Sequence, residues 1–137
     1  MPKHFLPGYS LVTLFTLICC ISVNSLLGQD VVLQGQVSVD GFDPNTTHIT
    51  GNLTFKPGGS FPITDISNLS NLEYIGGSLT IERTDLVNLD AFSKLDSIGA
   101  DLVIFSNRHL KHINGFSNLQ MIGEDVIMYA NDSLEQI

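Results

Sequence analysis

Ile75-Gly76-Gly77-Ser78-Leu79-Thr80-Ile81 is one of four renderings of a single motif in this chain. It appears first as Ile49-Thr50-Gly51-Asn52-Leu53-Thr54-Phe55. It returns as Ile98-Gly99-Ala100-Asp101-Leu102-Val103-Ile104, and again as Ile122-Gly123-Glu124-Asp125-Val126-Ile127-Met128. The copies recur at nearly even steps along the chain. Such a period marks a solenoid, in which each repeat is one coil that buries its apolar side against the next. The motif therefore favours a binding surface over an enzyme.

Within each copy the last residues read as a strand. Leu79-Thr80-Ile81-Glu82 and Leu53-Thr54-Phe55-Lys56 alternate apolar and polar with period two. Leu102-Val103-Ile104-Phe105 occupies the same place but is apolar throughout. The glycine just ahead permits a tight turn. Downstream runs a ladder of apolar residues at every third position: Ile63, Ile66, Leu69, Leu72, Ile75, then Leu86, Leu89, Phe92, Leu95, Ile98, then Leu110, Ile113, Phe116, Leu119, Ile122. An α-helix would also need the i+4 positions, so this ladder predicts a chain bending around a narrow core. Polar corners follow the strands, and Asn107 and Asn131, one repeat apart, should stack there. Asn tolerates left-handed backbone and bonds to nearby main chain. The expected result is a parallel sheet with strands about 4.8 Å apart.

These residues carry a resemblance. The Ile-Gly turn, its strand and the Leu/Ile/Phe ladder, in three full copies and a partial fourth, resemble the receptor L domain. This is the leucine-rich-repeat-like β-helix of insulin- and EGF-type receptor ectodomains and of related bacterial and protist surface repeat proteins. The resemblance runs from Val31 to Ile137. It implies a mainly β, right-handed parallel β-solenoid with coils of about 23–26 residues. It also implies an extracellular recognition role. Animal members usually carry cysteines, and beyond the N-terminal segment this chain has none.

Residues 1–28 read as a secretory leader. Lys3 and His4 form a short basic region, and Leu11 to Val23 is an apolar run of leader length, short for a membrane span. Cleavage is expected after Ser25 or Gly28; an uncleaved anchor is the alternative, and the sole route to a membrane. Cys19 and Cys20, the chain's two cysteines, lie inside that run without a small residue ahead of them, which disfavours a lipoprotein. A chain cleaved there has no thiol for disulfides, zinc or nucleophilic catalysis. Residues 30–48 are less regular and are expected to cap the first coil; 49–137 form the solenoid, truncated in its fourth coil. That uncapped last coil, with Ile137 on an inward column, is an expected route to self-association.

From Gln29 onward, five basic side chains face 14 acidic ones, a net charge of −9. There is no basic stripe, so nucleic acid is not an expected partner. Asp101 and Asp125 should lie close together, with Glu124 beside them, but no calcium loop has the needed spacing. His109 and His112 lack further ligands at metal-binding spacing, and Ser70, Ser93 and Ser117 recur as turn residues. No phosphate loop, dinucleotide fingerprint or nucleophile elbow is present. No cofactor, metal or catalytic residue is expected.

The outward strand face gives the candidate site. One column runs Thr54, Thr80, Val103, Ile127; the next runs Lys56, Glu82, Phe105, Tyr129. Both turn from polar to apolar, so Val103, Phe105, Ile127 and Tyr129 should form one patch suited to a protein or glycan partner. A β-helix polysaccharide lyase or hydrolase would need convergent carboxylates or a base there, and the columns offer only Glu82 and Lys56. The expectation is a secreted or cell-surface, non-enzymatic binding module. The alternative is an adhesin-like structural spacer from a longer surface repeat protein, with no dedicated ligand and a polar sheet face throughout. Sequons at Asn45, Asn52, Asn68 and Asn131 matter in a eukaryotic secretory pathway.

Overall fold

The computed structural model describes residues 25, 26 and 28–135. The expected leader lies outside these residues except for Ser25, Leu26 and Gly28. The chain is mainly β. In order, it forms β1 (Ser25–Leu26), β2 (Val31–Gln34), the short helix α1 (Gln36–Asp40), β3 (His48–Ile49), β4 (Leu53–Lys56), β5 (Tyr74–Ile75) and β6 (Leu79–Glu82). β7 (Ser97–Ile98), β8 (Leu102–Phe105), β9 (Met121–Ile122) and β10 (Val126–Tyr129) follow. Turns of 3₁₀ helix at Ser67–Leu69, Asp90–Lys94 and Asn114–Phe116 lead back to the short strands.

The strands make two parallel sheets, ordered β1-β3-β5-β7-β9 and β10-β8-β6-β4-β2. Each repeat gives one strand to each. The register is constant: Val31 pairs with Leu53, Leu53 with Leu79, Leu79 with Leu102 and Leu102 with Val126. A one-residue slip would turn Leu53, Phe55, Leu79, Ile81, Leu102 and Ile104 from core to solvent, and all six are buried. The motif's isoleucines, Ile49, Ile75 and Ile98, sit on the first sheet with no exposed surface. The step-of-three ladder has a specific cause. A 3₁₀ helix completes a turn every third residue, so Ile66, Leu69 and Leu72 fall on one side, as do Leu89, Phe92 and Leu95, and all are buried. Phe92 lies at the centre of this core, edge-on to Phe55 at 6.2 Å and stacked on Phe116 at 5.6 Å.

Residues 30–48 hold β2 and α1 rather than irregular chain. β2 pairs in register with β4, while Val39 of α1 and Phe42 join the core. The Gln36 side chain fastens this segment to the next repeat. Its Oε1 accepts the Thr64 and Asp65 N–H groups at 2.8 and 3.0 Å, and its Nε2 donates to the Asp65 carbonyl at 2.8 Å. Among the described residues, β10 pairs with β8 alone. Val126, equivalent to the fully buried Leu53 and Leu79, is 52% exposed.

Glycine recurs in the motif because the turns touch, not because their φ is positive. A Cβ on Gly99 would overlap the Gly76 carbonyl oxygen, and one on Gly123 would overlap that of Gly99. Left-handed backbone lies elsewhere, at Gly28, Gly35 and Gly59 and, directly after long strands, at Arg83 (φ 49), Ser106 (φ 59) and Ala130 (φ 53). Asn107 and Asn131 follow them and stack as expected, in a buried ladder. Asn107 Oδ1 accepts the Thr84 N–H and hydroxyl at 2.9 and 2.8 Å, and its Nδ2 donates to the Ile81 and Phe105 carbonyls. The Asn107 N–H in turn donates to Asn131 Oδ1 at 3.1 Å.

A second ladder runs ahead of the long strands. The N–H of Asn52 donates to Asp30 Oδ1, that of Ser78 to Asn52 Oδ1, that of Asp101 to Ser78 Oγ, and that of Asp125 to Asp101 Oδ1. Each short polar side chain therefore takes one main-chain donor from the following repeat. The Asp101 carboxylate, considered above for a cation, is used in this way.

Three stability outcomes follow, each read from a urea denaturation midpoint. Leu89→Ala removes a fully buried side chain and costs about 2–5 kcal/mol, whereas Leu134→Ala, at a half-buried position, costs clearly less. Equal shifts would contradict the stacking order. Gly99→Ala costs about 1–3 kcal/mol through overpacking against main chain. Asn107→Ala strips the buried Thr84 N–H and hydroxyl of their acceptor and costs about 1–3 kcal/mol or more.

Candidate interaction surface

The long strands of the second sheet place alternate side chains outward. One outward row is Val32, Thr54, Thr80, Val103 and Ile127, and the other is Gln34, Lys56, Glu82, Phe105 and Tyr129, with strand lying beside strand in one register. The four residues singled out in the sequence are therefore brought together. Val103 pairs with Ile127, and Phe105 pairs with Tyr129. The two rings stack at 5.1 Å between centroids and 13° between planes. Ile127 is 42% and Tyr129 54% exposed, while Val103 and Phe105 are half-buried between their neighbours. Strand geometry accounts for this. Paired side chains on one face lie within reach of each other, and aromatic pairs gain from offset stacking.

Sequence reasoning began both rows at β4 and so missed Val32, which is exposed at the far end of its row. It also missed a groove where the long strands end. Arg83, Asp85, Ser106, Arg108 and Asp132 line a space of about 360 Å³ there. The left-handed turn at Arg83 and Ser106 creates it, and the signal available in sequence was their equivalent position, one residue beyond Glu82 and Phe105. His109 Nδ1 lies 3.3 Å from Asp85 Oδ1, and among the described residues neither arginine has a carboxylate within ion-pair distance.

His112 sits apart from that pair. It is half-buried, bridges Asn88 through the backbone, and its Nδ1 has no partner. Among the described residues, no group of three or more His, Cys, Asp or Glu side chains could hold a metal ion. Nor is any helix among them long and apolar enough to cross a membrane. The charged groups on the outward rows are Lys56 and Glu82, on adjacent strands.

The family described as "Receptor L domain" matches residues 45–136, from the loop ahead of β3 through β10. No curated protein and no solved structure matches the chain significantly. The matched span holds all four copies of the motif and all three 3₁₀ turns. The chain belongs to the receptor L domain family.

Proposed function

We propose that this protein is an extracellular, non-enzymatic recognition module, secreted or held at the cell surface. In this reading it winds as a right-handed parallel β-solenoid and presents its second sheet to a protein or glycan partner. Support for the winding comes from the two parallel sheets, each taking one strand per repeat in the same order. Residues 30–48 act as its N-terminal cap, with Val39 and Phe42 closing the core. Support for the location comes from family membership and from the leader-like residues 1–28.

The observation that carries the recognition role is the stacked, outward Phe105–Tyr129 pair flanked by Val103 and Ile127. The outward face of β10 leaves Ile127 and Tyr129 exposed beside the half-buried Val103 and Phe105. Apolar surface rimmed by polar residues is the usual form of a docking site, and aromatic side chains supply much of the energy at interface centres. A plain spacer would carry side chains like those of Thr54, Lys56, Thr80 and Glu82 along the whole face, and the last two long strands depart from that pattern.

The test is a binding screen of the purified protein against arrays of extracellular proteins and glycans, repeated with Phe105→Ala/Tyr129→Ala. The double variant should lose at least about tenfold in affinity for the partner found while its thermal midpoint stays near that of the parent. Undiminished binding would remove the patch from the interface. Loss of folding would place the rings in the core instead.

A further inference from the structure

Of the four sequons, three have their asparagine built into the contacts between repeats. Asn52 Oδ1 accepts the Ser78 N–H at 2.7 Å, while the residue is exposed and its Nδ2 bonds to nothing among the described residues. Asn68 Nδ2 donates to the Val39 and Asp40 carbonyls at 3.2 and 3.1 Å. Asn131 Nδ2 donates to the Ile104 carbonyl at 2.9 Å, and its Oδ1 accepts the Asn107 N–H. Asn45 differs. It is exposed in the loop between α1 and β3, and its Nδ2 bonds only to Asp43 Oδ1 within its own turn, at 3.0 Å. That turn is held from below by the Thr46 N–H donating to the Asp43 carbonyl and by Asn71 Nδ2 donating to the Pro44 carbonyl.

We propose that Asn45 and Asn52 are the N-glycosylation sites of this protein, and that Asn68 and Asn131 are structural asparagines whose sequons stay unmodified. The inference rests on the extracellular reading above. The ligand is an oligosaccharide carried on a lipid diphosphate. Nδ2 bonds to the anomeric carbon of its first sugar, the carbon–oxygen bond to the diphosphate breaks, the lipid diphosphate leaves, and Nδ2 gives up one proton. At Asn45 the added sugar meets solvent. At Asn68 and Asn131 it would crowd an Nδ2 aimed at a carbonyl of the preceding repeat and force the two repeats apart. At Asn52 the sugar joins an exposed Nδ2 and leaves the Oδ1 bond from the Ser78 N–H in place. Asn45 leads into the first sheet, so its glycan leaves the Phe105–Tyr129 patch on the second sheet uncovered.

The full chain is expressed in a cultured eukaryotic line, once with its own residues 1–28 and once with a heterologous leader ahead of Ser25. Secreted protein is weighed intact before and after enzymatic deglycosylation, and the converted asparagine is located by peptide mapping. The expected result is two glycans, at Asn45 and Asn52, the first absent from Asn45→Gln with that variant's thermal midpoint unchanged. A glycan at Asn68 or Asn131 in folded protein, or an empty Asn45 or Asn52, overturns the inference. Secretion and modification of Asn45 and Asn52 with the heterologous leader alone would uphold the sites and count against the extracellular reading instead.

Discussion

Everything in this fold depends on equivalent residues of successive repeats lying one strand spacing apart, about 4.8 Å. At that distance each position must be compatible with its own copy above and below. Leu53, Leu79 and Leu102 meet that condition as one buried column, and Ile49, Ile75 and Ile98 as another. The glycines meet it by having no side chain where turn lies on turn, as Gly99 does over the Gly76 carbonyl. The polar positions meet it by bonding along the stack, from Asp30 through Asn52, Ser78 and Asp101 to Asp125. Apolar burial provides the driving force, and the two polar ladders fix the register, because an uncovered main-chain donor between repeats would be costly.

Much of this was legible in the sequence, for a physical reason. The early four-residue strands show period two, the glycine precedes them closely, and together they set both the register and the outward rows. The Phe105–Tyr129 pairing could therefore be read directly. The second sheet could not, because two-residue strands such as Tyr74–Ile75 are too short to display any alternation. β2 was hidden as well. Val31 precedes Leu53 by a shorter step than separates any later pair of copies, and α1 replaces the step-of-three ladder that marks the other repeats. The left-handed turns after β6, β8 and β10 fall on Arg83, Ser106 and Ala130, none of them a residue type that announces such a backbone, so only their equivalent places in the repeat pointed to the groove beside them. The closeness expected of Asp101 and Asp125 is realised as a hydrogen bond, the first accepting the N–H of the second.

The candidate surface is a consequence of the same stacking. A parallel sheet with one fixed register turns any substitution at an outward position into part of a continuous row. Thr54, Lys56, Thr80 and Glu82 keep the middle of the sheet polar beyond the exposed Val32, and four apolar residues in two adjacent strands are enough to make a patch. The asparagines show the opposite case, since Asn68 and Asn131 spend their Nδ2 on the preceding repeat, whereas among the sequons Asn45 and Asn52 are left to the surface.

Native-state hydrogen exchange is the most direct measure of the stack. The amides of β4, β6 and β8, which have a paired strand on both sides, should exchange most slowly, and those of β10, paired on one side with Val126 and Tyr129 exposed, markedly faster. Equal protection across all the long strands, or slowest exchange in β10, would contradict a core built by in-register stacking of these repeats.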